Sequence, residues 1–311
     1  MPATHVWSVL PSLAAWRAQG LRTALVTLVG SDGSTPRPPG SQMAIAENGK
    51  AVGNITGGCA EAAIIAEAQA RMARRENGSV RYGAGSPYID IRLPCGSGID
   101  VYFDTTFSDR DLQRLLQAQQ AREPAALLID SHRHAVTVIT GAVAPDFDGY
   151  VRAYPPGTRL VLAGKGPMVP ILAQLASAAD FEVIAFSPEP ETLDATVPHA
   201  TRAEHLATAS SFNFDAFDAW TAFVSLFHEH EWEPPILTQA LQSRCFYVGA
   251  LGSQRTQIAR VATLREQGLP DACIDRLHAP VGLRLGGKGP PEIALAILAE
   301  IVQVRHRGQN T

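Results

Sequence analysis

Cysteine is scarce in this 311-residue chain: Cys59, Cys95, Cys245 and Cys273 are all there are, and no two are spaced as CxxC. That spacing counts against a zinc knuckle or a thioredoxin-type redox site. The opening MPATHVWSVLPSLAAWRAQG has no basic stretch followed by a cleavage site, so no signal peptide is read, the thiols are expected reduced, and the compartment is expected to be the cytoplasm. Trp7, Leu10, Leu13 and Trp16 read instead as the apolar face of a short helix. Long apolar runs are missing too. ALVTLV and TAFVSLF fall far short of the roughly 20 residues of a membrane span. Nor is there an excess of positive charge: the net charge is −4, which supplies no field for nucleic acid or anionic membrane.

What remains is ordinary globular material, 46% hydrophobic and 18% charged. The length suggests about two domains. The first half reads as mixed sheet and helix. Strand-like runs occupy 21–29, 42–46, 50–55, 99–103 and 125–130, with a hairpin signal at Glu47-Asn48-Gly49. A helix is expected after TGGC, and SDRD at 108–111 caps another. DFDGYVRAYPPG is dense in turn residues and divides the chain into domains 1–150 and 151–311. Beyond it, RLVLAG, EVIAFS, TAFVSLF and CFYVGAL alternate with helical segments, which argues a parallel sheet with crossover helices. The expected class is α/β: a mixed domain followed by a Rossmann-like one.

RLVLAGKGP has the outline of a dinucleotide-binding turn. Gly164 would make the tight turn, and Gly166 would let backbone amides approach a phosphate. Two parts of that fingerprint are missing. Val169 stands at the third glycine position, and Ser187 ends the second strand where an acid would hold a ribose; Glu189 and Glu191 are displaced by prolines. Ordinary NAD(P) use is therefore not expected. A glycine turn kept only for strand–helix packing stays open as the alternative.

In the first half, TGGC and LPCGSG place Cys59 and Cys95 beside Gly57, Gly58 and Gly96, which would let a bulky ligand reach the backbone. At the first helical position, Cys59 would have its thiolate favoured by the helix dipole. Arg37 sits on a proline-stiffened loop, suited to gripping an anion. Taken singly, a lone cysteine is more often a small buried hydrophobe and such an arginine a solvated one. Cys245 and Cys273 are read as packing. His228 and His230 follow an apolar strand, where a parallel sheet places its ligand crevice; they suit a ligand tail or an interface better than a metal. Ser253 and Arg255 in GALGSQRTQ form another candidate anion site, Lys288 lies on a loop suited to a lid, and His132 and His134 are read as surface.

GSTPRPPGSQMAI, VGNITGGCAEAAI, LPCGSGIDVYF, LVLAGKGP, FHEHEWEPPILTQAL, FYVGALGSQRTQIARVATLREQGL and RLHAPVGLRLGGKGPPEIALAILAEI together resemble the xanthine dehydrogenase accessory factors, the XdhC/CoxI family. The likeness runs in order over nearly the whole chain. It implies a protein that binds molybdenum cofactor, as molybdopterin or its cytosine dinucleotide form, and assists its sulfuration. It also implies delivery of the cofactor to the large subunit of an apo-molybdoenzyme of the xanthine dehydrogenase or aldehyde oxidase type. An L-cysteine desulfurase partner and a homodimer are implied as well. Cys59 is the closest match to a cofactor thiol and the implied molybdenum ligand, with Cys95 second; a soft thiolate suits molybdenum–sulfur chemistry. The chain departs from the family at Ser97, Ser187 and Glu229. The rival readings are a nucleotide-dependent oxidoreductase with a reactive cysteine and an interaction scaffold. Val169 and Ser187 speak against the first, the cysteine loops against the second.

Overall fold

The computed structural model describes residues 9–33, 35, 37–86, 96–141, 147–227 and 231–307. These residues form two compact units, one ending at Pro156 and one beginning at Gly157. Among them no helix is long and apolar enough to cross a membrane.

The first unit runs α1 (Val9–Ala18), β1 (Thr23–Asp32), β2 (Gln42–Ala46), β3 (Ala51–Gly53), α2 (Glu61–Arg74), β4 (Gly78–Gly83), β5 (Gly98–Asp104), α3 (Asp109–Gln120), β6 (Ala125–Asp130), β7 (Ala135–Thr140) and β8 (Tyr150–Tyr154). Five strands pair antiparallel in the order β3-β2-β1-β5-β4, and β7-β6-β8 form a second antiparallel sheet. Alternation along β1 explains why it is buried on both faces. Ala24, Val26 and Leu28 pack with Ile64, Ala68 and Met72, the i, i+4, i+8 stripe of α2, while Leu25 packs with Leu10 and Leu13 of α1. The expected apolar face of α1 thus stands at Leu10, Leu13 and Trp16, and Trp7 lies outside the described residues. The Glu47–Gly49 turn closes the β2–β3 hairpin, with Gly49 at φ +83°. Ser108 caps α3 by accepting from the Asp111 amide at 3.0 Å.

The second unit runs β9 (Arg159–Gly164), α4 (Met168–Ala178), β10 (Glu182–Ser187), α5 (Pro190–Thr196), β11 (Arg202–His205), β12 (Thr221–Leu226), α6 (Glu233–Gln242), β13 (Tyr247–Ala250), α7 (Gln254–Glu266), α8 (Asp271–Ile274), β14 (Leu277–His278) and α9 (Pro290–Arg307). Its six strands are all parallel, in the order β11-β10-β9-β12-β13-β14. Every residue of β9 and β12 is buried because helices cover both faces, which is why these strands read as unbroken apolar runs. This is the expected Rossmann-like topology. The strand order reverses between β9 and β12, and a crevice opens at the carboxyl ends of such a pair.

Candidate functional site

Antiparallel pairing decides which loops of the first unit share an edge. Thr27 stands opposite Gln42, Met43 opposite Gly53, Asp32 opposite Gly98 and Gly83 opposite Gly98. The β1–β2, β3–α2 and β4–β5 connections therefore all leave from the same edge of the five-stranded sheet. Arg37 sits on the first, Gly57, Gly58 and Cys59 on the second, and Gly96 on the third. Cys95 lies outside the described residues. Arg81 ties the ends of β4, β1 and β5 together by pairing with Asp32 and, at 2.8 Å, with Asp100.

The Cys59 loop owes its shape to a carboxylate. Glu61 folds back and accepts from the amides of Ile55 (3.2 Å), Thr56 (2.7 Å) and Gly58 (2.8 Å) and from the Thr56 hydroxyl. Asn54 accepts the Gly57 amide at 2.7 Å, and Thr56 Oγ1 accepts the Ala60 amide at 2.9 Å. Partial burial works to raise the Glu61 carboxyl's pKa, but the hydrogen bonds from Thr56 and Ile55 outweigh it and hold the group below the usual carboxylate range. Gly57 and Gly58 take φ +78° and +111°, which a side chain would strain. Among the described residues, chain neighbours aside, no atom lies within 4 Å of where a side chain on Gly58 or Gly96 would begin.

Cys59 is exposed. It does not occupy the first helical position: Ala60 is the N-cap of α2 and Glu61 the first helical residue, so the thiol stands just before the helix. The reason is the Glu61 carboxylate, which takes the first turn and ties up the preceding amides. Glu61 is not among the residues the sequence singles out, although a glutamate three residues after Gly58 has the spacing by which a first-turn acid reaches back to a preceding amide. Arg37 is exposed, and its carbonyl accepts the Thr35 hydroxyl at 2.9 Å. Ser97 is buried, at 3% exposure, so its hydroxymethyl group does not crowd the loop surface.

At the reversal point of the second unit the glycines divide their work differently from expectation. Gly164 is the last residue of β9, and a methyl group there would lie 2.6 Å from Leu226 Cβ, so its smallness serves the close pairing with β12. Gly166, at φ +72°, makes the turn, and among the described residues, chain neighbours aside, no atom lies within 4 Å of where a side chain would begin. Its amide donates to Glu189 Oε2 and to Thr192 Oγ1, both at 3.0 Å. Ser187 is fully buried and accepts the Glu189 amide, which brings that carboxylate back across the proline-rich turn expected to displace it. Lys165 lies over the Trp232 ring, which stacks on Phe227. His228 and His230 lie outside the described residues.

Beside this crevice a buried ion pair joins three elements. Arg260 of α7 grips Glu233 of α6 through two nitrogens, at 3.0 and 2.9 Å; Ser225 of β12 donates to the same carboxylate, and the Leu251 carbonyl accepts from Arg260. Ser253 and Arg255 stand at the start of α7. The Ser253 hydroxyl is engaged in a reciprocal cap with Thr256, and Arg255 is exposed. Cys245 is buried just before β13, and burial pushes its thiol up to about 12. Cys273, in α8, packs at the edge of the same core. His132 and His134 are exposed on the β6–β7 turn. Among the described residues no three His, Cys, Asp or Glu side chains are grouped to hold a metal ion.

A family model described as the XdhC Rossmann domain matches residues 160–301, and one described as the XdhC and CoxI family matches residues 16–83. The chain is 31% identical over 288 residues to the molybdenum cofactor insertion chaperone PaoD of Escherichia coli, a match covering 92% of this chain and 84% of that protein. It is 26% identical over 320 residues to a probable xanthine dehydrogenase subunit of Bacillus subtilis, covering 91% and 93%. A crystal structure of a xanthine dehydrogenase from Bacillus halodurans has the same fold, with a TM-score of 0.75 over 96% of each chain at 22% identity.

Proposed function

The chain belongs to the XdhC and CoxI family, and from that premise we propose that it is a carrier: it binds molybdenum cofactor, assists its sulfuration and hands it to an apo-molybdoenzyme without turnover of its own. The observation that supports this most is the common sheet edge carrying the exposed Cys59, the open positive-φ glycines and Arg37. Such an edge suits a flat pterin that must be accepted and released. Glycines let the ring lie against backbone, the thiol offers a soft ligand to molybdenum or a neighbour to its sulfur, and Arg37 offers a fork to the phosphate end. The cofactor is cargo here, as molybdopterin or its cytosine dinucleotide. A molybdoenzyme large subunit of the xanthine dehydrogenase or aldehyde oxidase type is the proposed recipient, an L-cysteine desulfurase the proposed sulfur donor, and a cytoplasmic homodimer the working form.

Expression in a host that makes the cofactor, followed by metal and pterin analysis of the purified protein, tests this reading. The parent is expected to carry molybdenum and pterin in equal amounts and to activate an apo-enzyme; Cys59→Ser is expected to lose most of both. Equal loading of Cys59→Ser removes the thiol from the site. No loading of the parent overturns the carrier reading.

A further inference from the structure

The second unit fills its own expected phosphate position: the Gly166 amide is spent on Glu189. Polar groups open to a ligand lie further along the same sheet. β13 and β14 run parallel with Gly249 opposite His278, and the chain beyond His278 lines a cavity of about 460 Å³ with Gln254, Arg284 and Glu300. That volume is within the range of small-molecule sites, roughly 300–1,000 Å³.

His278 is held on two sides. Its ring stacks on Tyr247 at 4.5 Å, and Nδ1 faces Glu300 Oε1 at 3.7 Å. The other carboxylate oxygen of Glu300 accepts from Tyr247 Oη at 2.5 Å and from the Gly282 amide at 2.8 Å. Gly282 must be glycine to bring that amide in, because it takes φ +99° and a methyl group would sit 3.2 Å from the Ile297 amide nitrogen. The one acid lining the cavity is therefore engaged by the protein through both oxygens. Nδ1 is turned to a carboxylate, and among the described residues Nε2 has no hydrogen-bond partner. Arg284 is exposed, and among the described residues it has no ion-pair partner.

A phosphate monoester matches this set better than a carboxylate does. Its second proton leaves near pH 6, so at neutral pH the dianion that predominates accepts from an imidazolium Nε2–H, and the minor monoanion can donate its P–OH to a neutral Nε2. Its remaining oxygens suit the fork of an arginine. We propose that this cavity is a phosphate-monoester site, in which His278 Nε2 and the Arg284 guanidinium grip the phosphate while Glu300 and Tyr247 orient the imidazole. It is independent of the cargo edge of the first unit.

Calorimetric titration of the full chain with inorganic phosphate and with cytidine monophosphate tests it. Saturable binding of at least one is expected, weakened about tenfold or more in Arg284→Ala and in His278→Gln, a loss of the size one good contact carries. Arg284 is exposed, so that variant should keep the parent's melting temperature, and Glu189→Ala should keep the parent's affinity. Tighter binding of the nucleotide than of phosphate means the cavity also takes the nucleoside, and equal binding means it holds the phosphate group alone. Non-saturable heats with both ligands overturn the proposal. So does affinity untouched by both cavity variants, or affinity changed by Glu189→Ala with the cavity variants silent.

Discussion

Glu189 Oε2 accepts the Gly166 amide at 3.0 Å, placing a carboxylate of the protein where a dinucleotide fold offers its backbone to a phosphate. An anionic ligand at that loop would have to displace a fixed negative charge. The parent is therefore expected to show no saturable enhancement of NADH fluorescence and no hydride transfer. Saturable NADH binding that disappears in Gly166→Val, where a β-branched residue would have to hold φ +72°, would restore the oxidoreductase reading.

Glu61 is expected to matter for the Cys59 loop as much as the thiol does. Glu61→Ala strands the exposed Gly58 amide together with the part-buried Ile55 and Thr56 amides and the Thr56 hydroxyl, a loss of about 1–3 kcal/mol. Because its folded pKa is depressed, its stabilisation is complete above the unfolded value of about 4.3 and is lost as pH falls through the folded value. Denaturant titrations from neutral to acid pH should show Glu61→Gln with a flatter acid limb than the parent. Parallel curves would mean the carboxylate carries no pH-dependent share.

Thiol labelling should separate the cysteines. Cys59 is exposed, whereas burial holds the Cys245 thiol near its protonated form. In the folded protein iodoacetamide should modify Cys59 rapidly and leave Cys245 intact, as read by peptide mass spectrometry. Cys59→Ser should change stability by less than about 0.5 kcal/mol, while Cys245→Ser should cost about 1–3 kcal/mol for burying an extra hydroxyl. Equal thermal shifts would contradict this sorting.

Arg37→Lys keeps the charge and removes the planar fork. Cofactor affinity measured by pterin absorbance should fall about tenfold. An unchanged affinity would leave Arg37 as a turn residue.

The Glu233–Arg260 pair predicts a large structural effect in the second unit. Both side chains are almost fully buried, so Glu233→Ala leaves a guanidinium without its partner and should cost about 3–5 kcal/mol in chemical denaturation. A cost under about 1 kcal/mol would mean water reaches Arg260 in the variant.

Periodicity and turn chemistry alone carried much of this molecule. The strands 42–46, 125–130, 159–164 and 182–187 were legible to the residue, because each is a short apolar run bounded by turn residues. So were the Gly49 hairpin and the Ser108 cap, since these signals act between residues a few positions apart. The short strands β11 and β14 were not: they are two to four residues long and only half-buried, and they exist because neighbouring strands offer hydrogen-bonding partners. Residue types at the glycine loops singled out Cys59, Arg37 and Gly166. Only antiparallel register, which pairs Asp32 with Gly98 and Met43 with Gly53, brought the Arg37, Cys59 and Gly96 loops to one edge. Only the folded turn after β10 swung Glu189 onto Gly166, 23 positions away. Local sequence determines which segments can form; which polar groups spend their hydrogen bonds on one another is decided by residues distant in the chain, and folding alone brings those together.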